Sequence, residues 1–173
     1  SQFDQKTFGG STVSSPNVAR PLSWKDCQDL TVVGPDVEAA LERVAKLDFT
    51  MVKLKLGQEK GWSLEHQTEV EDLYRRFLAL NIVYPDRKIC PTGPIDEFWH
   101  AHILDTRAYE ADCEFLFGHF LHHFPYFGMR GPDDFAALQT AFDQSKDLFI
   151  RHFGIDPCHG ETQARGCSPQ RCP

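Results

Sequence analysis

The chain has 173 residues, 41% of them hydrophobic and 25% charged, with a formal net charge of -7. That length suffices for one core and is short for two domains, and no apolar run approaches the roughly 18 residues of a membrane span. The acidic balance, with no basic stripe in the text, argues against nucleic acid as a partner.

The N-terminal text SQFDQKTFGGSTVSS lacks the basic start and apolar stretch of a secretory signal, so the expected location is cytoplasmic, although a signal removed ahead of Ser1 would leave the same text. Residues 1–34 read as an extended arm, with Ser, Gly, Gln and Thr dominating up to residue 23 and no sustained apolar period. From Pro35 the pattern changes. Val37, Ala40, Leu41, Val44 and Leu47 recur at helical spacing behind a proline and an acidic first turn. A second predicted helix, in WSLEHQTEVEDLYRRFLALN, carries Val70, Leu73, Tyr74, Phe77 and Leu80 on one side, with Ser63 as its candidate N-cap.

Pro85, Pro91, Gly93 and Pro94 then break the helical text into a shaped loop. A third predicted helix runs from about Pro94 to Phe117, capped by Thr92 or Asp96, with Gly118 at its end or at a bend. A fourth starts at Pro132 with Asp133 and Asp134 in its first turn, and Gly154 closes it. Phe135, Leu138, Phe142, Phe149 and Phe153 give it an apolar side. The expected fold is therefore all-α: a single domain, an irregular bundle of about four main helices spanning residues 35–154. It is flanked by the arm 1–34 and by a tail, 155–173, that holds Cys158, Cys167 and Cys172.

Five of the eight histidines fall between residues 95 and 128. On a helix, Asp96 and His100 stack on one face, being four apart. His102 points elsewhere, onto the apparent core stripe of Ile95, Thr106, Tyr109 and Cys113, so His100 and His102 share an ion only if the helix starts or distorts there. Cys113 is eleven residues beyond His102, about 16 Å of axial rise, too far for a common ion on one straight helix; it reads as a small buried apolar residue.

If residues 119–123 are helical, His119 and His123 share a face. A chain reversal at Gly118 would bring His123 back to Asp96 and His100. Two imidazoles and a carboxylate suit zinc or non-haem iron and leave positions open for a small substrate. The candidate metal set is Asp96, His100, His102 and His123. The plain alternative is that these side chains are helix-surface or hydrogen-bonded core residues, with Asp96 merely orienting His100. The surrounding aromatics, Phe98, Trp99, Phe115, Phe117, Phe120, Phe124, Tyr126 and Phe127, read mostly as core. Cys90 is a weak candidate nucleophile, and His66 and His152 read as surface residues without a special role.

The stretch YPDRKICPTGPIDEFWHAHILDTRAYEADCEFLFG, followed by LHHFPYFG, resembles the glycine-rich domain-containing protein-like family, in particular its short bacterial-type members. The resemblance rests on Pro91, Asp96, Trp99, His100, His102, Tyr109, Cys113, Gly118 and His123, and covers roughly residues 40 to 150. It implies a helical domain in which His100, His102 and His123 belong to one constellation, and it implies no particular reaction.

The expectation is a small helical metalloprotein, open to a role as an enzyme acting on a small substrate. One alternative is a non-catalytic protein-interaction module with a buried His/Asp hydrogen-bond network. Another is a carrier of, or substrate for, chemistry on the C-terminal cysteines, where Cys158, Cys167, Cys172 and His159 could close a disulfide or capture a soft metal.

Overall fold

A computed structural model of the chain describes residues 35–158, and among them the backbone forms six α-helices and no strand. These are α1 (Pro35–Val44), α2 (Thr50–Lys60), α3 (Leu64–Val83), α4 (Gly93–Leu104), α5 (Thr106–Phe117) and α6 (Pro132–Phe153). The fold is the expected all-α bundle, with two more helices than the sequence announces. The arm, 1–34, and the tail beyond Cys158, including His159, Cys167 and Cys172, lie outside the described residues.

The first addition is α2. Its start is set by Asp48, whose Oδ1 accepts from Thr50 N at 2.9 Å and from Thr50 Oγ1 at 2.6 Å. Its end is Gly61, at φ 69°, a left-handed cap that glycine adopts without a Cβ penalty. Only Val52 and Leu56 are buried, one turn apart, while Met51 is 65% exposed. A Cβ on Gly57 would sit 2.7 Å from Gln67 Nε2, so a larger residue there would have to displace the side-chain amide that donates to Trp62 O at 2.8 Å.

The second addition comes from a break in the predicted third helix at Asp105. Its N–H bonds His102 O at 3.1 Å, a tightened last turn, and α5 restarts at Thr106 in a new direction. Thr106 is exposed as a result and leaves the buried stripe that keeps Ile95, Tyr109 and Cys113.

Helix α3 is the spine. Tyr74, Phe77, Leu78 and Leu80 are buried against Phe49, Phe98, Trp99 and Tyr109, and Leu148 and Phe149 of α6 reach the same core. Ser63 caps α3 as expected, accepting from His66 N at 3.2 Å. Arg75 ties α3 to the end of α1, donating to Val44 O at 2.6 Å and Leu47 O at 3.0 Å, carbonyls that a helix terminus leaves unpaired. Arg43 does the same for α5 through Phe115 O and Leu116 O, at 2.6 and 2.8 Å.

Two segments between helices shape the neighbourhood of Asp96 and His100. The loop between α3 and α4 is fastened to α6 where Cys90 N donates to Ser145 Oγ at 2.8 Å. The segment after α5 reverses at Gly118, φ 70°, as expected, but residues 119–123 are not helical. No helix among the described residues is long and apolar enough to cross a membrane. Cys90 and Cys113 are free thiols, whereas Cys158, 8% exposed, is disulfide-bonded.

Candidate metal centre

Asp96 sits in the first turn of α4 and His100 one turn later on the same face, as their spacing of four requires. The reversal at Gly118 carries the chain back along α4, and His123 arrives beside them. His123 Nε2 lies 3.1 Å from Asp96 Oδ1 and 3.2 Å from His100 Nε2, and His100 Nδ1 lies 3.7 Å from Asp96 Oδ2. One donor atom from each of the three residues lies within 4.8 Å of the other two.

These distances can be set against coordination geometry. Donors bound at about 2.1 Å stand roughly 3.0 Å apart at right angles and roughly 3.4 Å apart in a tetrahedron. The two contacts of His123 Nε2 fall between those values. Asp96 and His123 are mostly buried and the His100 side chain is 41% exposed, so the group sits at the edge of the core rather than inside it.

A latch holds His123 in place. Trp99 Nε1 donates to Tyr109 Oη at 2.9 Å, and Tyr109 donates to Leu121 O at 2.5 Å, two residues before His123. The Trp99 ring packs on the His123 ring at 4.7 Å between centroids. The latch spans the break between α4 and α5, so nothing in the ten-residue spacing of Trp99 and Tyr109 announces it.

His102 does not join the group. It is 2% exposed and directed into the core, where both ring nitrogens have protein partners: Nδ1 meets Tyr74 Oη at 2.9 Å and Nε2 meets Asp112 Oδ2 at 3.0 Å. Phe49 and Tyr109 pack edge-on against it, at 5.0 and 4.9 Å. Burial pulls the His102 pKa down against the pull of Asp112, and burial pushes Asp112 up against the pull of His102. The physical reason is the two-residue step along α4, which turns His102 away from His100.

The other expectations divide. Cys113 is buried, as its spacing suggests. Cys90 stays outside the cluster, and desolvation pushes its thiol up to about 11, the opposite of an activated nucleophile. His119 and His122 are exposed. His152 is less plain than a surface histidine: its Nε2 meets Tyr84 Oη at 2.6 Å, and desolvation, then Arg151, lowers its pKa. Of the aromatics expected in the core, Phe98 and Trp99 are buried, whereas Phe115, Phe120, Phe124 and Tyr126 are exposed.

Residues 41–153 match the UCP032817-like family, and the chain belongs to it. No curated protein and no solved structure matches the chain. The family match corrects the resemblance to the glycine-rich domain-containing protein-like family.

Proposed function

We propose that this protein is a small helical metalloprotein in which Asp96, His100 and His123 hold a divalent transition ion, zinc or non-haem iron. The observation that carries the reading is the crowding at His123 Nε2, which faces a carboxylate oxygen at 3.1 Å and another imidazole nitrogen at 3.2 Å. One ring nitrogen bears either a proton or a lone pair. With a proton it must divide one N–H between two acceptors; with a lone pair it faces a carboxylate. A cation at the shared point lets all three lone pairs converge.

Three protein donors leave positions for water or a substrate oxygen, which is the arrangement of a metal acting as Lewis acid or redox centre on a small molecule. In the alternative, non-catalytic reading the contacts of His123 with Asp96 and His100 are a hydrogen-bond network without an ion, so the two readings compete at His123, and metal content decides between them. Cys158 is disulfide-bonded, a state that reducing compartments disfavour, so the metal reading is not tied to a cytoplasmic location.

The test is elemental analysis of untagged protein, loaded with Zn(II) or, anaerobically, Fe(II), for wild type, His100→Ala and His123→Ala, with circular dichroism to show that each variant folds. Near-stoichiometric metal in wild type and its loss in both variants is expected. Trace metal, unchanged by either substitution, overturns the reading.

A further inference from the structure

Helix α6 fastens the loop between α3 and α4 at two points. At one end Cys90 N donates to Ser145 Oγ at 2.8 Å, and the same hydroxyl donates to Ala141 O at 2.7 Å, so nothing in that contact gains or loses a proton near neutrality. At the other end Tyr84 Oη meets His152 Nε2 at 2.6 Å. Ser145 and His152 are seven residues apart, two turns along one side of α6. Between these fastenings the loop supplies Ile89, Cys90 and Pro91 to the wall of a cleft that also borders Asp96 and His123.

The histidine fastening differs because its ring is only half provided for. His152 Nδ1 is buried and has no hydrogen-bond partner among the described residues. A neutral ring leaves one uncharged position unmet: either Nε2 accepts from the phenol and Nδ1–H is orphaned, or Nε2–H donates and the Nδ1 lone pair is orphaned. Protonation makes both nitrogens donors and adds a charge, with the Tyr84 oxygen still the one partner. Unmet charged groups cost more than unmet neutral ones, and this half-buried ring sheds that cost by turning toward water, which breaks the Tyr84 contact.

The charged neighbours supply no counterion. On α6 the ring follows Arg151; on α3, Arg76 stands over the adjoining Phe153 ring at 5.2 Å and is paired with Asp72; in the loop, Arg87 stands over the Tyr84 ring at 5.2 Å. Among the described residues no carboxylate is paired with His152. The C-terminal end of α6 favours a cation through its dipole. Desolvation, then Arg151, outweighs it and lowers the His152 pKa from 6.5. A depressed value means that the fastened state binds fewer protons than the released one. The fastening is therefore fully present above pH 6.5 and is lost as pH falls through the folded value.

We propose that the contact between Tyr84 and His152 is a pH-responsive fastening: protonation of His152 releases the Tyr84 end of the loop from α6 while the Cys90 end stays held, loosening one wall of the cleft beside Asp96 and His123. This goes beyond the metal reading and needs no ion at that site.

Two backbone amides report on the two ends of the loop: Arg87 N–H, which donates to Tyr84 O at 3.1 Å, and Cys90 N–H, which donates to Ser145 Oγ. Hydrogen exchange of the full chain is followed by NMR at about pH 7.5 and about pH 5, either side of the ordinary histidine range, and corrected for the intrinsic pH dependence of exchange. Wild type, His152→Gln and Tyr84→Phe are compared, with circular dichroism to show that each folds. In wild type, protection at Arg87 should fall about fivefold relative to Cys90 on acidification. In His152→Gln the ratio should not change with pH. Tyr84→Phe keeps the ring and removes the hydroxyl, so the lowered ratio should be present already at the higher pH. Either variant decides the matter if the other fails to fold. Equal loss at both amides, no loss at Arg87, a loss that persists in His152→Gln, or a Tyr84→Phe protein that matches wild type at both pH values overturns the proposal.

Discussion

Tyr109 donates its hydroxyl to the carbonyl of Leu121 at 2.5 Å and accepts from the indole of Trp99 at 2.9 Å, so one buried oxygen sets the distance between α4 and the stretch of chain that delivers His123. Asp96 and His100 lie on a single helix and are placed by its geometry, but His123 comes from a non-helical segment and depends on this latch. Tyr109→Phe keeps the ring and removes both bonds. The expected result is a protein that folds but binds zinc about tenfold more weakly, the scale of a lost outer-shell partner. Chelator competition measures it, and an affinity equal to wild type would mean that His123 is positioned by something else.

His102 should behave in the opposite way. Its ring fills a core site between Phe49 and Tyr109 and joins Tyr74 to Asp112, thereby fastening α3 and α5 to the end of α4. His102→Phe preserves much of the packing and strands a buried hydroxyl and a half-buried carboxylate. Stability should fall by about 2 kcal/mol, read from urea midpoints, because unpaired buried polar groups carry the full cost of desolvation. Zinc stoichiometry should stay at the wild-type value; loss of metal with unchanged stability would return His102 to the ligand set.

The different fates of these residues show what the sequence holds and what it does not. The pairing of Asp96 with His100, and the turning away of His102, follow from helix geometry, and Gly118 supplies a recognisable reversal. The route from Gly118 to His123 is harder to read: residues 119–123 are not helical, and convergence depends on Tyr109 and Trp99, ten residues apart across a break that no glycine or proline marks. Helix α2 is hidden for another reason. Val52, Lys53, Leu54, Lys55 and Leu56 alternate as a strand would, and only Val52 and Leu56 reach the core, so periodicity has little to report. Asp112 and Tyr74 lack any helical spacing to His102; their role is a tertiary fact.

Cys90 offers a check on the burial of the loop between α3 and α4. Burial raises its thiol to about 11, with Lys88 and the Ser145 hydroxyl pulling the other way. Because the thiolate is the reacting species, alkylation by iodoacetamide should be slow at pH 8 and rise about tenfold per pH unit until it approaches pH 11. Mass spectrometry of the Cys90 peptide after timed quenching gives the rate. Fast reaction at neutral pH, or a plateau near pH 8, would contradict the burial of the thiol.

Asp134 gives a pH dependence of stability with a definite sign. Its carboxylate accepts from Arg130 Nη2 at 2.6 Å and from Gly128 N at 2.7 Å, fixing the turn that leads into α6. The hydrogen bond from Arg130 is the main cause that brings its pKa from 3.8 to about 2, with desolvation opposing and the Arg130 and Gly128 backbone N–H groups assisting. A folded-state pKa below the unfolded one means that the unfolded chain binds more protons in the interval between them. The contribution is therefore complete above about pH 5 and fades as pH falls through 3.8 toward about 2. Asp134→Asn removes the titrating charge and leaves the other carboxylates in place. The wild type should exceed the variant in urea midpoint at pH 7, with the gap unchanged down to about pH 5 and closing by about pH 2. A gap that stays constant across that interval, or a variant more stable than wild type at neutral pH, would show that the Arg130 contact does not hold the Asp134 carboxylate in its charged form.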